Sequence, residues 1–374
     1  MKRVAMAVVV AGLWGVLAGC GQNVEPLAEG SSGWLALPDS PLSPREAALG
    51  LWTGHEVLLI GGSDAPPCPP SASCVRDSTP LADGAAFDPA TNRWRELADS
   101  PVPLMGEQGV VIGSAVYLLT NVAGTELLVY RVDHDEWTRV PVPFGDGYQL
   151  LAAGDRLVAY LGSEENRHGK DYLFDSRTAT WAALPADPLS AAYDRAMAWT
   201  GRELVLFDHE LVSNPGAEKP TITRAAALDL TAGSWRRLPD SAILATAPWL
   251  TAGDKLINPM LGGADGGQIG NWGRTYPYGG SVTPATGVWS SLPNPPAGDT
   301  PAAGARTGTT AVYFGDSGVV FDTTIGAWQA VPTVPGGRVT GRTIVAAGVR
   351  MVVFGGARWD ASPAVVGDAW IWTP

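Results

Sequence analysis

Hydrophobic and polar positions alternate along most of this chain in short runs that are separated by turn-forming residues. The run Phe87-Asp-Pro-Ala-Thr-Asn-Arg-Trp94 shows the unit: a strand ends at Phe87, a turn follows, and a second strand begins near Trp94. Asp88 and Pro89 occupy the first two turn positions, which favours a type I turn. Folding the chain back here places Phe87 opposite Trp94 and makes a cross-strand aromatic pair.

This frame recurs at a fixed spacing. A hydrophobic residue stands seven positions before a Trp at Tyr130/Trp137, Phe174/Trp181, Leu228/Trp235, Val282/Trp289 and Phe321/Trp328. The short strand that follows each of these Trp residues ends in Leu-Pro or Val-Pro. A repeat of fixed period indicates one supersecondary unit used many times.

A second hairpin precedes each frame, with a glycine between two apolar strands. The seven glycines are Gly54, Gly113, Gly154, Gly201, Gly253, Gly308 and Gly348. Glycine supplies the positive φ that a tight hairpin requires. Each unit therefore has four strands, a to d, which is typical of a propeller blade.

The two ends of the chain complement each other. The C-terminal Gly367–Pro374 supplies a strand c with no strand d after it, whereas Gly33–Pro38 has the Trp and the Leu-Pro of a strand d with no strand c before it. Pairing them would remove two open sheet edges. The sequence predicts an all-β, seven-bladed β-propeller of four-stranded blades, closed by pairing of the N-terminal strand (about 33–38) with the C-terminal strand.

The N-terminus carries an export signal. Lys2 and Arg3 precede an apolar run that ends in Leu17-Ala-Gly-Cys20, a pattern typical of a signal peptide and too short for a membrane span. Leu-Ala-Gly-Cys resembles the bacterial lipobox, which implies a lipid on Cys20 after cleavage; an ordinary signal peptide with an incidental cysteine is the alternative. The predicted organisation is a signal peptide at 1–19, a lipidated flexible tether at 20–32 and the propeller at 33–374. The protein would then be exported and lipid-anchored to the bacterial cell membrane, on its periplasmic or outer surface.

Net charge and cysteine content narrow the possible partners and the redox state of the chain. The formal net charge is −12, and loss of Lys2 and Arg3 with the signal peptide makes it −14, which argues against a nucleic-acid partner. Cys68 and Cys74 are close in sequence, so in an exported chain they predict a disulfide, with two free thiols as the alternative.

The repeat resembles the kelch repeat, in the manner of the galactose oxidase central domain. Gly61-Gly62 and Gly355-Gly356 match the diglycine that ends strand b in that family, and Gly262-Gly263 is a fair match. The second, third, fourth and sixth units depart from the diglycine pattern. The resemblance implies a propeller but not one function, because kelch propellers include binding proteins and several unrelated enzymes.

Two groups of residues are candidates for ligand binding. The long b–c loop of the fifth unit contains Trp272, Arg274 and Tyr276, whose flat side chains with polar edges suit a glycan or a peptide, although Trp272 is also suited to pack on its own blade. The second group lies at the beginning of the innermost strands: Glu107, Tyr148, Arg195 and Arg342. Arginines at a channel mouth could hold a carboxylate or an anionic sugar, and hydrogen bonds and ion pairs between blades are the alternative.

The leading hypothesis is a non-catalytic binding module for a protein or glycan ligand on the b–c loop face. The alternative is a sugar-modifying enzyme resembling the kelch-type sialic acid mutarotases and epimerases, which predicts an acid or base beside Arg195 and Arg342. The copper-radical oxidases of this fold need a Tyr crosslinked to Cys and two His ligands. The four histidines here show no ligand spacing, so no metal, cofactor or catalytic residue is predicted.

Overall fold

The computed structural model describes residues 33–67, 80–122, 124–217, 219–258, 279–293, 303–307, 310–314, 319–323, 325–330, 332–337, 339–359 and 362–373. The described part is all-β: it contains 31 strands and no helix. No helix with the length and apolar content needed to cross a membrane occurs in these ranges.

The strands follow one another in chain order with short connections. They are β1 (Gly33–Ala36), β2 (Leu49–Trp52), β3 (Val57–Ile60), β4 (Gly84–Asp88), β5 (Arg93–Leu97), β6 (Gly109–Ile112), β7 (Ala115–Thr120), β8 (Glu126–Arg131), β9 (Glu136–Pro141), β10 (Tyr148–Ala153), β11 (Arg156–Leu161), β12 (Tyr172–Asp175), β13 (Thr180–Ala183), β14 (Ala192–Trp199), β15 (Glu203–Glu210), β16 (Arg224–Asp229), β17 (Ser234–Arg237), β18 (Leu250–Ala252), β19 (Lys255–Asn258), β20 (Gly280–Thr283), β21 (Val288–Ser291), β22 (Ala303–Thr307), β23 (Thr310–Phe314), β24 (Val319–Asp322), β25 (Ala327–Ala330), β26 (Val339–Thr340), β27 (Thr343–Ala347), β28 (Arg350–Phe354), β29 (Ala357–Arg358), β30 (Ala364–Val365) and β31 (Ala369–Thr373).

Within the described ranges these strands make seven antiparallel four-stranded sheets and one small three-stranded sheet, β26-β29-β30. Sheets 1 to 6 each consist of four consecutive strands, beginning at β2, β6, β10, β14, β18 and β22. Sheet 7 has the order β27-β28-β31-β1, so its outer two strands come from opposite ends of the described chain. Gly33 pairs with Thr373 and Trp34 with Trp372, as the complementary ends of the sequence predict.

The first strands of the sheets contact one another in sequence. Contacts join β2 to β6, β6 to β10, β10 to β14, β14 to β18, β18 to β22 and β22 to β27, and β27 also contacts β2. The hydrophobic core lies between successive sheets; between sheets 7 and 1 it includes Phe87, Phe354 and Ile371, all nearly inaccessible to solvent.

The repeated aromatic frame forms the predicted hairpin. Phe87 pairs with Trp94 across β4 and β5, with ring centroids 5.0 Å apart, and the equivalent pair Tyr130–Trp137 is at 4.9 Å. In the turn, the Asp88 side chain accepts a hydrogen bond of 2.8 Å from the Ala90 amide. The prediction that an aspartate caps this turn is therefore confirmed.

Each Trp of the frame also links its sheet to the preceding one. Its indole N–H donates to the carbonyl oxygen of the residue that lies four positions after the Trp of the preceding sheet. The seven bonds are Trp94 to Pro38, Trp137 to Ala98, Trp181 to Pro141, Trp235 to Pro185, Trp289 to Pro239, Trp328 to Pro293 and Trp34 to Pro332, at 2.7–3.2 Å. Two of these bonds join sheet 7 to its neighbours: Trp34 of β1 donates to Pro332 beside sheet 6, and Trp94 of sheet 1 donates to Pro38 beside sheet 7.

The diglycine positions are explained by close backbone approach. Gly61 has φ of 66°, and a Cβ there would lie 2.3 Å from the carbonyl oxygen of Leu104. At Gly355 a Cβ would lie 2.3 Å from the carbonyl oxygen of Arg45. No side chain fits at such a distance, so glycine is required where these connections cross.

The sheets have two distinct ends, which define two faces of the protein. The turn face carries the a–b glycine turns, such as Gly54 and Gly348, and the c–d turns, such as Asp88–Thr91. The loop face carries the connections from the second to the third strand and from one sheet to the next. Arg45 is a fully buried charged side chain on the loop face; it is 1% exposed and donates to Asp83, the Gly61 carbonyl and Ser43.

Candidate functional site

Six of the residues predicted from the sequence to be functional lie outside the described residues. They are Cys20, Cys68, Cys74, Trp272, Arg274 and Tyr276. The other four, Glu107, Tyr148, Arg195 and Arg342, are in or just before the first strands of sheets 2, 3, 4 and 7. The structure places Glu107, Tyr148 and Arg195 on three successive sheets, since β10 contacts both β6 and β14, whereas Arg342 belongs to sheet 7.

Arg195 is engaged by the protein itself. Its side chain is 3% exposed, and its two terminal nitrogens donate to Asp171 at 3.2 and 2.9 Å, to Asp187 at 3.2 Å and to the Leu161 carbonyl at 2.7 Å. Asp171 and Leu161 belong to sheet 3, so Arg195 joins sheets 3 and 4. This arrangement is the ion pair between blades that the sequence left open as an alternative to ligand binding.

A β-bulge explains why Arg195 points into this network. The register of β14 and β15 shifts between Tyr193 and Ala196, so Asp194 and Arg195 together lie opposite Asp208. Asp194 has φ of 49°, in the left-handed region that favours glycine. Bulges of this kind re-aim a side chain at the end of a strand.

A second buried arginine lies on the other side of Asp208. Arg224 is 7% exposed; its Nε donates to Asp208 at 2.7 Å, its Nη1 to the Ser190 hydroxyl at 2.6 Å and its Nη2 to the Ser190 carbonyl at 3.0 Å. Burial raises the pKa of Asp208, with a further contribution from Asp187, and the guanidinium of Arg224 opposes the rise. Arg224, the first residue of β16, therefore links the loop-face end of sheet 4 to Ser190, which lies just before β14.

One cavity opens beside Arg224, and we name it the Arg224 cavity. Its volume is about 540 Å³, and it lies between the β15–β16 connection and the end of β17. Its charged lining consists of Glu210, Lys219, Arg224, Arg237 and Asp240, while Val212 and Ile222 supply an apolar wall. Lys219 is 75% exposed and forms an ion pair with Glu210, its Nζ 3.6 Å from the carboxylate.

A second cavity, the Arg167 cavity, lies on the same face in sheet 3. Its volume is about 360 Å³, and its polar lining includes Gln149, Ser163, Glu165, Asn166 and Arg167. The Tyr160 hydroxyl donates to the Gln149 carbonyl oxygen at 2.7 Å, which orients the amide and leaves its NH₂ group directed outward from that bond. Arg167 Nη2 lies 2.6 Å from Asp146 and holds the pKa of that carboxyl below its usual value.

Segment 190–192 is bonded to Glu164, the neighbour of Ser163 and Glu165 in the Arg167 cavity, and to Glu210 in the Arg224 cavity. From the side of sheet 3, the Glu164 amide donates to the Ala192 carbonyl at 2.8 Å, and the Glu164 carboxylate accepts from the Ala192 amide at 2.9 Å. From the side of sheet 4, Glu210 accepts from the Ser190 hydroxyl at 3.0 Å. Segment 190–192 is therefore held by hydrogen bonds from both sheets, next to each cavity.

Tyr148 lies on the opposite face of β10 from Gln149, in a half-buried aromatic group. Phe144 stacks on Tyr148 with ring centroids 4.2 Å apart, and Tyr172 and Trp181 complete the group at 5.3 and 5.2 Å from Phe144. The Tyr148 hydroxyl donates to the Lys170 carbonyl at 2.8 Å, and burial raises the pKa of Tyr148 to about 12. This group closes the junction of sheets 2 and 3 at the loop face.

Arg342 is less completely bonded than Arg45 or Arg195. Its Nη2 donates to the Pro335 carbonyl at 2.9 Å, while its buried Nη1 makes no hydrogen bond within the described chain. Burial lowers the pKa of Arg342, and Asp368 opposes that shift. Glu107 is half-buried, and its Oε2 likewise accepts no hydrogen bond from the described residues.

The two cavities were not predicted from the sequence. Gln149 and Arg167, and likewise Glu210 and Arg224, come together only when the connections fold over the sheet ends. The one available signal was the length of the fourth unit's b–c loop, which the sequence shows to be long. In the described residues, no group of three or more His, Cys, Asp or Glu side chains has the geometry of a metal site.

Comparison with known proteins does not assign a function. No protein-family model matches the chain, and no curated protein matches it. The solved structure named "Structure of YjhT" is 13% identical and aligns over 90% of this chain and 97% of that chain, with a TM-score of 0.44. The repeated four-stranded antiparallel sheets fit the kelch-type propeller that the sequence resembles, and function has to be inferred from the residues of this chain.

Proposed function

We propose that this protein is an exported, lipid-anchored binding protein whose kelch-like propeller holds a glycan on its loop face without catalysis. The observation that carries the proposal is the pair of cavities, about 540 and 360 Å³, on the loop face of neighbouring sheets 4 and 3, each with charged and hydrogen-bonding side chains in its lining. Both volumes lie in the range of roughly 300–1,000 Å³ that is common for small-ligand sites.

The proposal includes closure of the seven sheets into one ring, which would make the loop face rigid. The seven four-stranded sheets, the cyclic contacts of their first strands and the indole-to-carbonyl bonds all favour closure through sheet 7. Loops that project from a rigid scaffold are where binding residues are usually found. The connections around residues 162–171 and 211–223 are loops of this kind.

The lining chemistry favours a glycan. Sugar hydroxyls both donate and accept hydrogen bonds, so they suit walls that mix amides, carboxylates, guanidinium groups and hydroxyls. Gln149, Asn166 and Glu165 provide such groups in one cavity, and Glu210 and Lys219 provide them in the other. Because the cavities lie on the same face of neighbouring sheets, an oligosaccharide that occupies both is a better fit than a single sugar.

The lipoprotein part of the proposal follows from the sequence. The lipobox-like Leu17-Ala-Gly-Cys20 supports a lipid on Cys20, and residues 21–32 supply a tether between that lipid and β1. Export also supports a Cys68–Cys74 disulfide. Mass spectrometry of the mature N-terminal peptide, with and without reduction, tests both modifications.

The binding test uses the mature protein in detergent on a glycan array, followed by calorimetry with any glycan that binds. Arg167→Ala and Lys219→Ala each remove one charged side chain from one cavity, and we expect at least a tenfold loss of affinity from each. The matched control is Arg177→Ala, which removes an 89% exposed arginine paired with Asp175 on the turn face and should leave affinity unchanged. Absence of glycan binding, or an equal loss in the control, would refute the proposal.

The sugar-modifying alternative retains one supporting observation. Glu210 is 39% exposed on the wall of the Arg224 cavity, so its carboxylate is accessible to a ligand as an acid or base. Nuclear magnetic resonance of a bound reducing sugar would show accelerated exchange of its anomers with the native protein and not with Glu210→Gln. Binding without accelerated exchange favours the non-catalytic function.

A further inference from the structure

The described chain begins at the turn face, on the opposite end of the sheets from the Arg224 and Arg167 cavities; a third cavity, beside Gly54 and Val349, opens on the turn face itself. In sheet 7, Gly33 pairs with Thr373, Trp372 pairs with Met351, and the next residue, Arg350, pairs with Ala347 beside the Gly348 turn. The strands at this point therefore end together at the turn face. Any chain that leads from Cys20 to Gly33 meets the protein there.

The same face carries most of the exposed aliphatic side chains in the described part of the chain. Five large aliphatic residues of the described chain are more than one-third exposed. Three of them, Val288, Ile325 and Val349, lie at hairpin turns of sheets 5, 6 and 7 on the turn face. Their exposed fractions are 59%, 61% and 58%. The three residues lie on the turn face of consecutive sheets, and the last of these, sheet 7, contains Gly33, where the described chain begins.

We propose that the turn face of sheets 5 to 7 lies against the bilayer that holds the lipid on Cys20, through Val288, Ile325 and Val349, and that the cavities are directed away from it. This inference rests on the proposed lipid anchor. The orientation also narrows the class of ligand. The glycan would approach from the side facing away from the anchoring membrane, and it would not be the headgroup of a glycolipid in that membrane.

The point where the chain enters supports this orientation. A flexible tether of twelve residues, 21–32, would have an r.m.s. span of roughly 20 Å. Because β1 is the outer strand of sheet 7, reaching the same bilayer with the loop face would require the tether to pass along that outer edge, about 17 Å for a five-residue strand. That path would use most of the span, whereas at the turn face the tether would meet the bilayer directly.

The orientation can be measured by fluorescence quenching on vesicles. The full lipidated protein is placed on phosphatidylcholine vesicles that contain a lipid with a quencher near the headgroup. A fluorophore is attached at Val349→Cys on the turn face or at Val122→Cys on the loop face, two valines of similar exposure, 58% and 61%. Protein without an added cysteine measures background labelling, and Ile325→Cys provides a second turn-face position.

We expect quenching at Val349 to exceed that at Val122 at least twofold. Adding Val288→Ser and Ile325→Ser should lower quenching at Val349, whereas Val212→Ser on the loop face should not change it. Equal or greater quenching at Val122 would overturn the orientation. Glycan binding is measured separately in detergent, so a protein that shows the asymmetry but binds no glycan would refute the proposed function and leave the orientation standing.

Discussion

Replacing Arg195 by Met tests whether this residue joins sheets or binds a ligand. The substitution removes four hydrogen bonds, to Leu161, Asp171 and Asp187, from a side chain that is 3% exposed. The Asp171 side chain is only 8% exposed, so it would be left as a buried carboxylate without its cation. Breaking a buried pair from one side typically costs ~3–5 kcal/mol.

A loss of that size is a large fraction of the stability of most domains. It should lower the thermal midpoint by roughly 5–10 °C, measured by calorimetry or by circular dichroism of the β-sheet signal. The double variant Arg195→Met/Asp171→Asn should recover part of the loss, because neither charge is then left unpaired. Arg177→Met, which changes an exposed turn-face arginine, should leave the midpoint unchanged.

The reasoning would be refuted by an Arg195→Met protein that keeps its native midpoint. If that protein also lost glycan binding, Arg195 would be a ligand-binding residue, as the alternative interpretation of the sequence holds. If the double variant were as unstable as the sum of the two single variants, Arg195 and Asp171 would not be energetically coupled.

Two further predictions concern the ring and the loop face. The Arg45 guanidinium holds the pKa of Asp83 below its ordinary value, so the ionised carboxylate contributes stability at neutral pH that is lost as the pH falls below about 4. Urea titrations at pH 6 and pH 3 should show this loss, and Asp83→Asn should reduce the difference; an unchanged difference would contradict the assignment. Trp34→Phe removes the indole hydrogen bond to Pro332 and should cost about 1 kcal/mol, the same as Trp235→Phe at an ordinary junction between consecutive sheets. No loss at Trp34 beside a clear loss at Trp235 would contradict closure through sheet 7.

The sequence by itself determined the local units of this protein. The pairing of Phe87 with Trp94 and the capping of the turn by Asp88 were predicted correctly, and so was the partnership of Trp34 with the final strand. These features are encoded within about ten residues, or in a repeat whose missing member is evident at the other end. Alternation of side chains and the turn preferences of Asp, Pro and Gly are short-range effects, and tertiary context rarely reverses them.

Only the tertiary structure decided how those units are used. The indole of each frame Trp donates to a carbonyl 35–56 residues away in most junctions and 298 residues away for Trp34. Arg195 meets Asp171 across the junction of two sheets because a bulge re-aims it. Glu164 and Glu210 likewise bond the same segment, 190–192, from different sheets. Such contacts depend on how sheets stack and how loops cross their ends, and no local pattern of residues records that geometry, so the candidate site had to be found in the fold.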